Sequence, residues 1–215
     1  NQTPQLRLCG NAAHMDGYMF VMTTDGKIWN SDLNSLANWT ANSYIQASAY
    51  PDLGAGVVRY RNFIVAFGHN SIEFYVNAGN PVGSPLSRVA VANLIGIATT
   101  IGSLAYRKYL NVGDDVFFVG RESEAYTLCV FKLNVTERPI KVINSAIDKL
   151  ALDTAWIAGV FTMHGMTHLL FNGSTGGLSA PQCCFCIETG TWWWIRASTA
   201  QTTWSSAIGD AVFTT

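Results

Sequence analysis

Apolar and polar positions fall into a loose repeating unit along the chain. A polar or glycine turn leads into an apolar run, then a second turn and a second run. The first copy runs from Gly17 through Tyr18-Met-Phe-Val-Met22 to the turn Thr24-Asp25-Gly26 and the run Lys27-Ile-Trp-Asn30. The second is Arg61-Asn62, Phe63-Ile-Val-Ala-Phe67, the turn Gly68-His69-Asn70, and Ser71-Ile-Glu-Phe-Tyr75. The third is Asp115 to Val119, a turn from Gly120 to Glu124, and Ala125 to Phe131. The fourth is Thr167 to Phe171 and a turn from Asn172 to Gly177, then Cys183 to Ile187, Glu188 to Thr191 and Trp192 to Ile195. Tyr18, Phe63, Val116 and His168 are successively 45, 53 and 52 residues apart. Each unit reads as hairpins joined by short turns.

Propeller blades repeat at roughly 40–50 residues with four antiparallel strands each. The chain is therefore expected to be all-β: a β-propeller or partial β-propeller of four-stranded antiparallel blades. Residues 1–215 would form about four blade units, part of a larger ring. The runs Phe63 to Phe67 and Val116 to Val119 are apolar throughout, which suits strands packed on both faces. A β-sandwich also has regular short strands, but without a higher repeat. A short helical turn is expected at Ser145-Ala-Ile-Asp148 leading into Lys149 to Leu152.

Composition sharpens this picture. Apolar residues make up 49% of the 215, enough for a sizeable core, and 7 Trp, 8 Tyr, 11 Phe and 19 Gly fit a sheet protein with tight turns. Charged residues are only 13%, about half the usual ~25%. A net charge of −1 gives no basic footprint for duplex nucleic acid and no polybasic membrane patch. So little charge points to a surface covered by partners. No run of 18 or more apolar residues occurs, so no membrane-spanning segment is expected. No basic start precedes an apolar run, so no signal peptide is expected. A chain opening Asn1-Gln2-Thr3-Pro4 without Met is expected to be part of a longer protein.

The candidate chemistry is sparse. Cys9, Cys129, Cys183, Cys184 and Cys186 are odd in number, and neighbours on a strand point to opposite faces, so they suggest buried free thiols. A metal site would use Cys184 and Cys186 with His164 and His168. The histidine spacing fits zinc, but Cys-Cys-x-Cys does not, and His164-Gly-Met-Thr-His168 lacks the Glu of a zinc-protease helix. Asp25-Gly26-Lys27-Ile28-Trp29 is similar to the Asp box of sialidase-like propellers. It lacks the residue between Asp and Gly, has no second copy, and reads as a hairpin turn. Asp114-Asp115, Glu122 and Glu124 read as loop charges. Gly173-Ser-Thr-Gly-Gly177 lacks the Lys of a phosphate loop. Asn38-Trp-Thr40, Asn134-Val-Thr136 and Asn172-Gly-Ser174 match the glycosylation triplet, with no secretion signal to support it. No catalytic, cofactor or metal residue is assigned, and no cofactor is expected. The unusual patch is Trp192-Trp193-Trp194, either packing between blades or meeting a partner or sugar.

Several stretches together resemble the packaged-DNA stabilisation family of short-tailed phages, also called tail accessory, hub or nozzle proteins. They are Asp25 to Asn34, Tyr50 to Gly54, Arg61 to Gly68, Ser71 to Tyr75 and Ala78-Gly-Asn-Pro-Val-Gly-Ser-Pro-Leu-Ser-Arg88, the most specific. Val130 to Leu133, Pro139 to Ile143, Ala146 to Leu150 and Ile187 to Trp192 follow in order. The similarity runs over residues 17–195, and members are usually much longer. The Cys-rich strand and the triple Trp stand outside the pattern.

The resemblance implies a non-enzymatic virion protein of the phage tail, made in the cytoplasm of the bacterial host. Copies would form a ring, typically six-fold, below the portal and its adaptor. The ring would meet other tail proteins such as fibres, spikes or needle, extend the DNA channel, and retain packaged DNA through weak contact until ejection. Tight phosphate binding would need clustered Lys and Arg. A receptor- or carbohydrate-binding propeller module of the virion, using the Trp patch, is the alternative, and an enzyme on a propeller scaffold is the third reading. Assembly contacts are expected in loops. Asn80, Pro81, Ser84, Pro85 and Arg88 come from the Asn77–Arg88 stretch, and Tyr50 and Asp52 from Tyr44–Leu53.

Overall fold

A computed structural model describes residues 7–50, 52–89, 97–98, 109–122, 129–133, 140–143, 156–172 and 182–195. They form antiparallel sheets that follow one another in chain order. Sheet 1 contains β1 (Leu8–Met15), β2 (Tyr18–Thr23), β3 (Lys27–Asn30) and β4 (Tyr44–Gln46). Sheet 2 contains β5 (Gly54–Tyr60), β6 (Phe63–Gly68), β7 (Ile72–Asn77) and β8 (Leu86–Val89). In sheet 3, β9 (Ile97–Ala98) pairs with β11, alongside the path β10 (Tyr109–Val112), β11 (Asp115–Glu122), β12 (Cys129–Lys132) and β13 (Ile140–Ile143). Sheet 4 contains β14 (Trp156–Met163), β15 (Met166–Asn172), β16 (Gln182–Cys186) and β17 (Trp192–Ile195).

The recurring hairpins of the sequence are β2–β3, β6–β7, β11–β12 and β15–β16–β17. The first strand of each sheet was not foreseen. Those strands are less regular: β1, β5 and β14 each shift register against the second strand, between Cys9 and Ala13, Gly54 and Gly56, and Ile157 and Gly159. Such bulges break the alternation by which strands are recognised. The expected helical turn at Ser145 to Leu152 and the Gly173 to Gly177 turn lie outside the described residues.

Tight turns join first to second strands. Asp16 and Gly17 (φ 53° and 81°) and His164 and Gly165 (51° and 76°) take left-handed conformations, as two-residue hairpin loops require. Gly113 (58°) does so in sheet 3. In sheet 2 the turn is Arg61-Asn62, and Arg61 itself holds φ 56°.

The sheets pack through their first strands: β5 lies against β1 and β10, and β10 against β14. One apolar cluster joins sheets 1 and 2 through Ala13, Met15, Phe20, Met22 and Ile28 against Val57, Ile64, Ala66, Tyr75 and Leu86. A second joins sheets 2 and 3 through Val58, Tyr60, Val65, Phe67, Ile72 and Phe74 against Tyr109, Val116, Phe118 and Leu133. Strand β6 thus feeds alternate residues into different interfaces, so its sequence is apolar throughout rather than alternating.

One junction ties three sheets. The Tyr109 hydroxyl of β10 accepts a hydrogen bond from the Asn11 backbone N–H of β1 at 2.8 Å. It passes where Gly10 and Gly56 approach closely. A Cβ on Gly10 would meet the Gly56 Cα at 2.6 Å, and one on either glycine would overlap the Tyr109 hydroxyl. Only glycine fits at either position. Burial pushes the Tyr109 phenol up to about 12.

Candidate functional site

Up-and-down connectivity sends the β1–β2, β3–β4, β5–β6 and β7–β8 connections to one end of the sheets, and the β2–β3, β4–β5 and β6–β7 connections to the other. Side chains mark both ends. At the first, Asn77 Nδ2 donates to Asp16 Oδ2 at 3.0 Å. At the second, Asp52 accepts from the Asn70 N–H and from Ser71 Oγ at 3.1 Å.

The sequence candidates therefore divide. Asn80, Pro81, Ser84 and Pro85 lie at the first end, and Tyr50 and Asp52 at the second. Asn80 Nδ2 donates to the Ser84 carbonyl at 3.2 Å, the Leu86 carbonyl at 3.0 Å and Ser87 Oγ at 3.2 Å, closing the loop on itself. Ser84 and Pro85 are buried, and the Pro85 carbonyl accepts from the Ala78 N–H at 2.8 Å. Pro81 and Val82 form the exposed tip, with Val82 87% exposed. Asp52 fastens the β4–β5 linker to the β6–β7 turn, while Tyr50 beside it is exposed.

Arg88 sits on β8 opposite Tyr75. Its Nη1 lies 3.8 Å from Glu73 Oε2. Glu73 is buried, and accepts from the Ala49 N–H at 3.0 Å and the Tyr75 hydroxyl at 2.9 Å. Burial first, and the Glu73 charge second, hold the Tyr75 phenol far above its usual range. A glutamate inside an apolar strand run was the sequence signal for this network, which residue-by-residue reading passed over.

The tryptophan run forms β17, the last strand of sheet 4. Trp192, Trp193 and Trp194 pair with Phe185, Cys184 and Cys183. Cys184 and Cys186 are buried free thiols. Burial, reinforced by Cys186, pushes the Cys184 thiol up to about 11, which keeps it protonated and unreactive at neutral pH. His168 is buried against Phe161, its Nδ1 3.1 Å from the Met166 carbonyl, while His164 is exposed in the β14–β15 turn. Asp25 bonds to Thr23 and to Lys27 Nζ across the glycine turn. Those hydrogen bonds, Lys27 first, lower its carboxyl below the usual value.

Sequence reading also missed a cleft at the first end. Arg59, Arg61, Asn62, Asn111, Gly113 and Asp114 line a volume of about 530 Å³ between the β5–β6 and β10–β11 turns. Asn111 Nδ2 donates to the Arg59 carbonyl at 2.6 Å, tying sheet 3 to sheet 2. Arg59 Nε donates to the Arg61 carbonyl at 3.1 Å. The Arg61 guanidinium stands over the Tyr60 ring at 5.1 Å.

Four-stranded antiparallel sheets in chain order, packed through their first strands, define a β-propeller architecture. Comparison with known proteins carries the class further. The model of the family described as bacteriophage P22 Gp10, beta-propeller, a phage stabilisation family, matches residues 1–158. The chain belongs to this family of phage virion proteins. Among solved structures it is similar to BamB from Moraxella catarrhalis, at 12% identity over 89% of this chain and 54% of that one, with a TM-score of 0.48. It is also similar to a chain in the complex of the fission yeast SREBP–SCAP binding domains, at 12% identity over 96% and 53%, with a TM-score of 0.45. The chain thus spans about half the length of each of these chains. None of the curated proteins matches it.

Proposed function

We propose that the chain is a non-enzymatic structural subunit of a short phage tail, of the hub or nozzle kind. Copies stand in a ring below the portal and its adaptor, extend the DNA channel and retain the packaged genome until ejection. The observation that carries this reading is membership of the phage family over residues 1–158. The low charge supports it, because a subunit enclosed by neighbours needs little charge to stay soluble. In this reading the loop tip at Pro81 and Val82, Arg88 and the Tyr50 segment meet neighbouring subunits, the adaptor and other tail proteins. DNA is held only weakly, and the protein is made in the host cytoplasm before joining the virion.

Native mass spectrometry of the full-length protein, alone and with a portal–adaptor complex, tests the reading. A ring, or one triggered by the adaptor, is expected. A monomer that ignores the adaptor would sink it. Arg88→Ala combined with removal of the exposed tip at 81–83 is expected to weaken ring formation while the fold survives, because the tip is exposed and the Arg88 end of the long Arg88–Glu73 contact is half exposed.

A further inference from the structure

The four turns that join first to second strands are equivalent in the fold but not in chemistry. Asp16-Gly17, Gly113-Asp114 and His164-Gly165 each contain a glycine with positive φ. Arg61-Asn62 has no glycine, and Arg61 carries the left-handed conformation at φ 56°. For an L-residue this costs about 1–2 kcal/mol. The left-handed first residues Asp16 and His164 are each followed by a glycine, whereas the Arg61 turn has none and places an arginine where hairpins prefer Gly, Asn or Asp.

That cation faces the cleft described above, beside Arg59. Among the described residues, no carboxylate lies within ion-pair distance of either guanidinium. Both residues are exposed and still positioned. Arg59 Nε is fixed on the Arg61 carbonyl, and Arg61 is laid over Tyr60. The cleft, at about 530 Å³, falls within the 300–1,000 Å³ of ligand-sized sites.

We propose that this cleft takes an acidic side chain presented by a partner polypeptide. Arginine forks suit a carboxylate, which accepts two parallel N–H bonds. The amides of Asn62 and Asn111 are suited to the peptide groups that flank such a side chain. Asp114, on the same wall, argues for one anion rather than many. A nucleic-acid backbone would bring a charge every ~1.7 Å of duplex axis against that carboxylate. The proposal goes beyond the tail reading, and it stands if no ring forms.

The test is a titration of the ¹⁵N-labelled full chain, following the arginine Nε–H resonances. The probes are acetyl-Gly-Glu-Gly-amide, its Gln counterpart and a single-stranded oligothymidylate. The Glu peptide is expected to shift the Arg59 and Arg61 signals and to bind about tenfold more tightly than the Gln peptide, the gain from a charge-assisted pair. Arg61→Gly is expected to weaken the Glu peptide by a similar factor. It should leave Tm unchanged or raised, because glycine suits that φ. Three results would overturn the proposal. The first is that the Glu peptide binds no better than the Gln peptide, or not at all. The second is that the oligothymidylate alone shifts both arginines. The third is a clear fall in Tm for Arg61→Gly, which would make Arg61 a folding residue held by Tyr60.

Discussion

Sheet 2 is covered on both faces, and the two covers differ in kind. Toward sheet 1 it presents Val57, Ile64, Ala66, Tyr75 and Leu86, with the buried Glu73 among them. Toward sheet 3 it presents Val58, Tyr60, Val65, Phe67, Ile72 and Phe74. The second interface is built on rings. Phe67 stacks on Tyr109 with centroids 4.9 Å apart, and lies 5.3 Å from Phe118. The first holds a directed network in which Glu73 reaches Ala49, Tyr75 and Arg88. Burial of rings is strong but non-directional, whereas a satisfied buried carboxylate permits few arrangements. Both interfaces bury apolar side chains, and the ring interface does so without a buried charge. The polar interface fixes how the linker from sheet 1 lies on sheet 2.

The largest expected effect is on the ring interface. Phe67→Ala should cost about 3–5 kcal/mol, the range for truncating a buried phenylalanine, read as a lower urea midpoint with an unchanged slope. A loss below about 1 kcal/mol would mean that the rings collapse to fill the gap and that the contrast between the faces is overstated.

Next comes the polar face. Tyr75→Phe keeps the ring and removes one donor to Glu73. It should cost about 1.5–3 kcal/mol, the range for a hydrogen bond to a charged group. Hydrogen exchange at the Ala49 amide should rise with it. A neutral result would leave the network without an orienting role.

The smallest effect at neutral pH concerns Tyr109, whose signature lies in alkali. Tyr109 titrates near 12 in the folded protein, against about 10 unfolded. The unfolded state therefore loses this proton first as pH rises. Stability is full below about pH 10 and falls as pH climbs toward 12. Tyr109→Phe should flatten that part of the curve, at a neutral-pH cost of about 1 kcal/mol for the lost Asn11 bond. Thermal melts over roughly pH 9 to 12, which spans the unfolded and folded values, check both. An unchanged alkaline slope would shift the effect to Tyr75.

The middle hairpins were legible because both of their faces are buried, so Phe63 to Phe67 stands out as an unbroken apolar run. The first strands were not legible. In β1, Gly10, Asn11 and Ala12 are exposed and the pairing is bulged, so no period of two survives. Glycine and proline content pointed to the Asn77–Arg88 stretch, of which residues 78–85 form the loop between strands. That Asn80 turns inward to three acceptors while Val82 stays out depends on how the loop folds back on itself. The arginine cleft was hidden because its walls come from turns some 50 residues apart, and the local Arg59-Tyr60-Arg61 stretch does not show that Asn111 and Asp114 face it.

By itself, the sequence determined an all-β chain with its period, its turns and the runs buried on two sides, because these follow from neighbours along one strand. Tertiary structure alone decided which ring meets which and where Glu73 finds its partners. It also decided why Gly10 and Gly56 must be glycine, and that Arg59 and Arg61 share a cleft with Asn111 and Asp114. Tyr109 and Asn11 are 98 residues apart in the chain and 2.8 Å apart in space. Contacts at such separation depend on how successive sheets stack, which no local pattern of residues encodes.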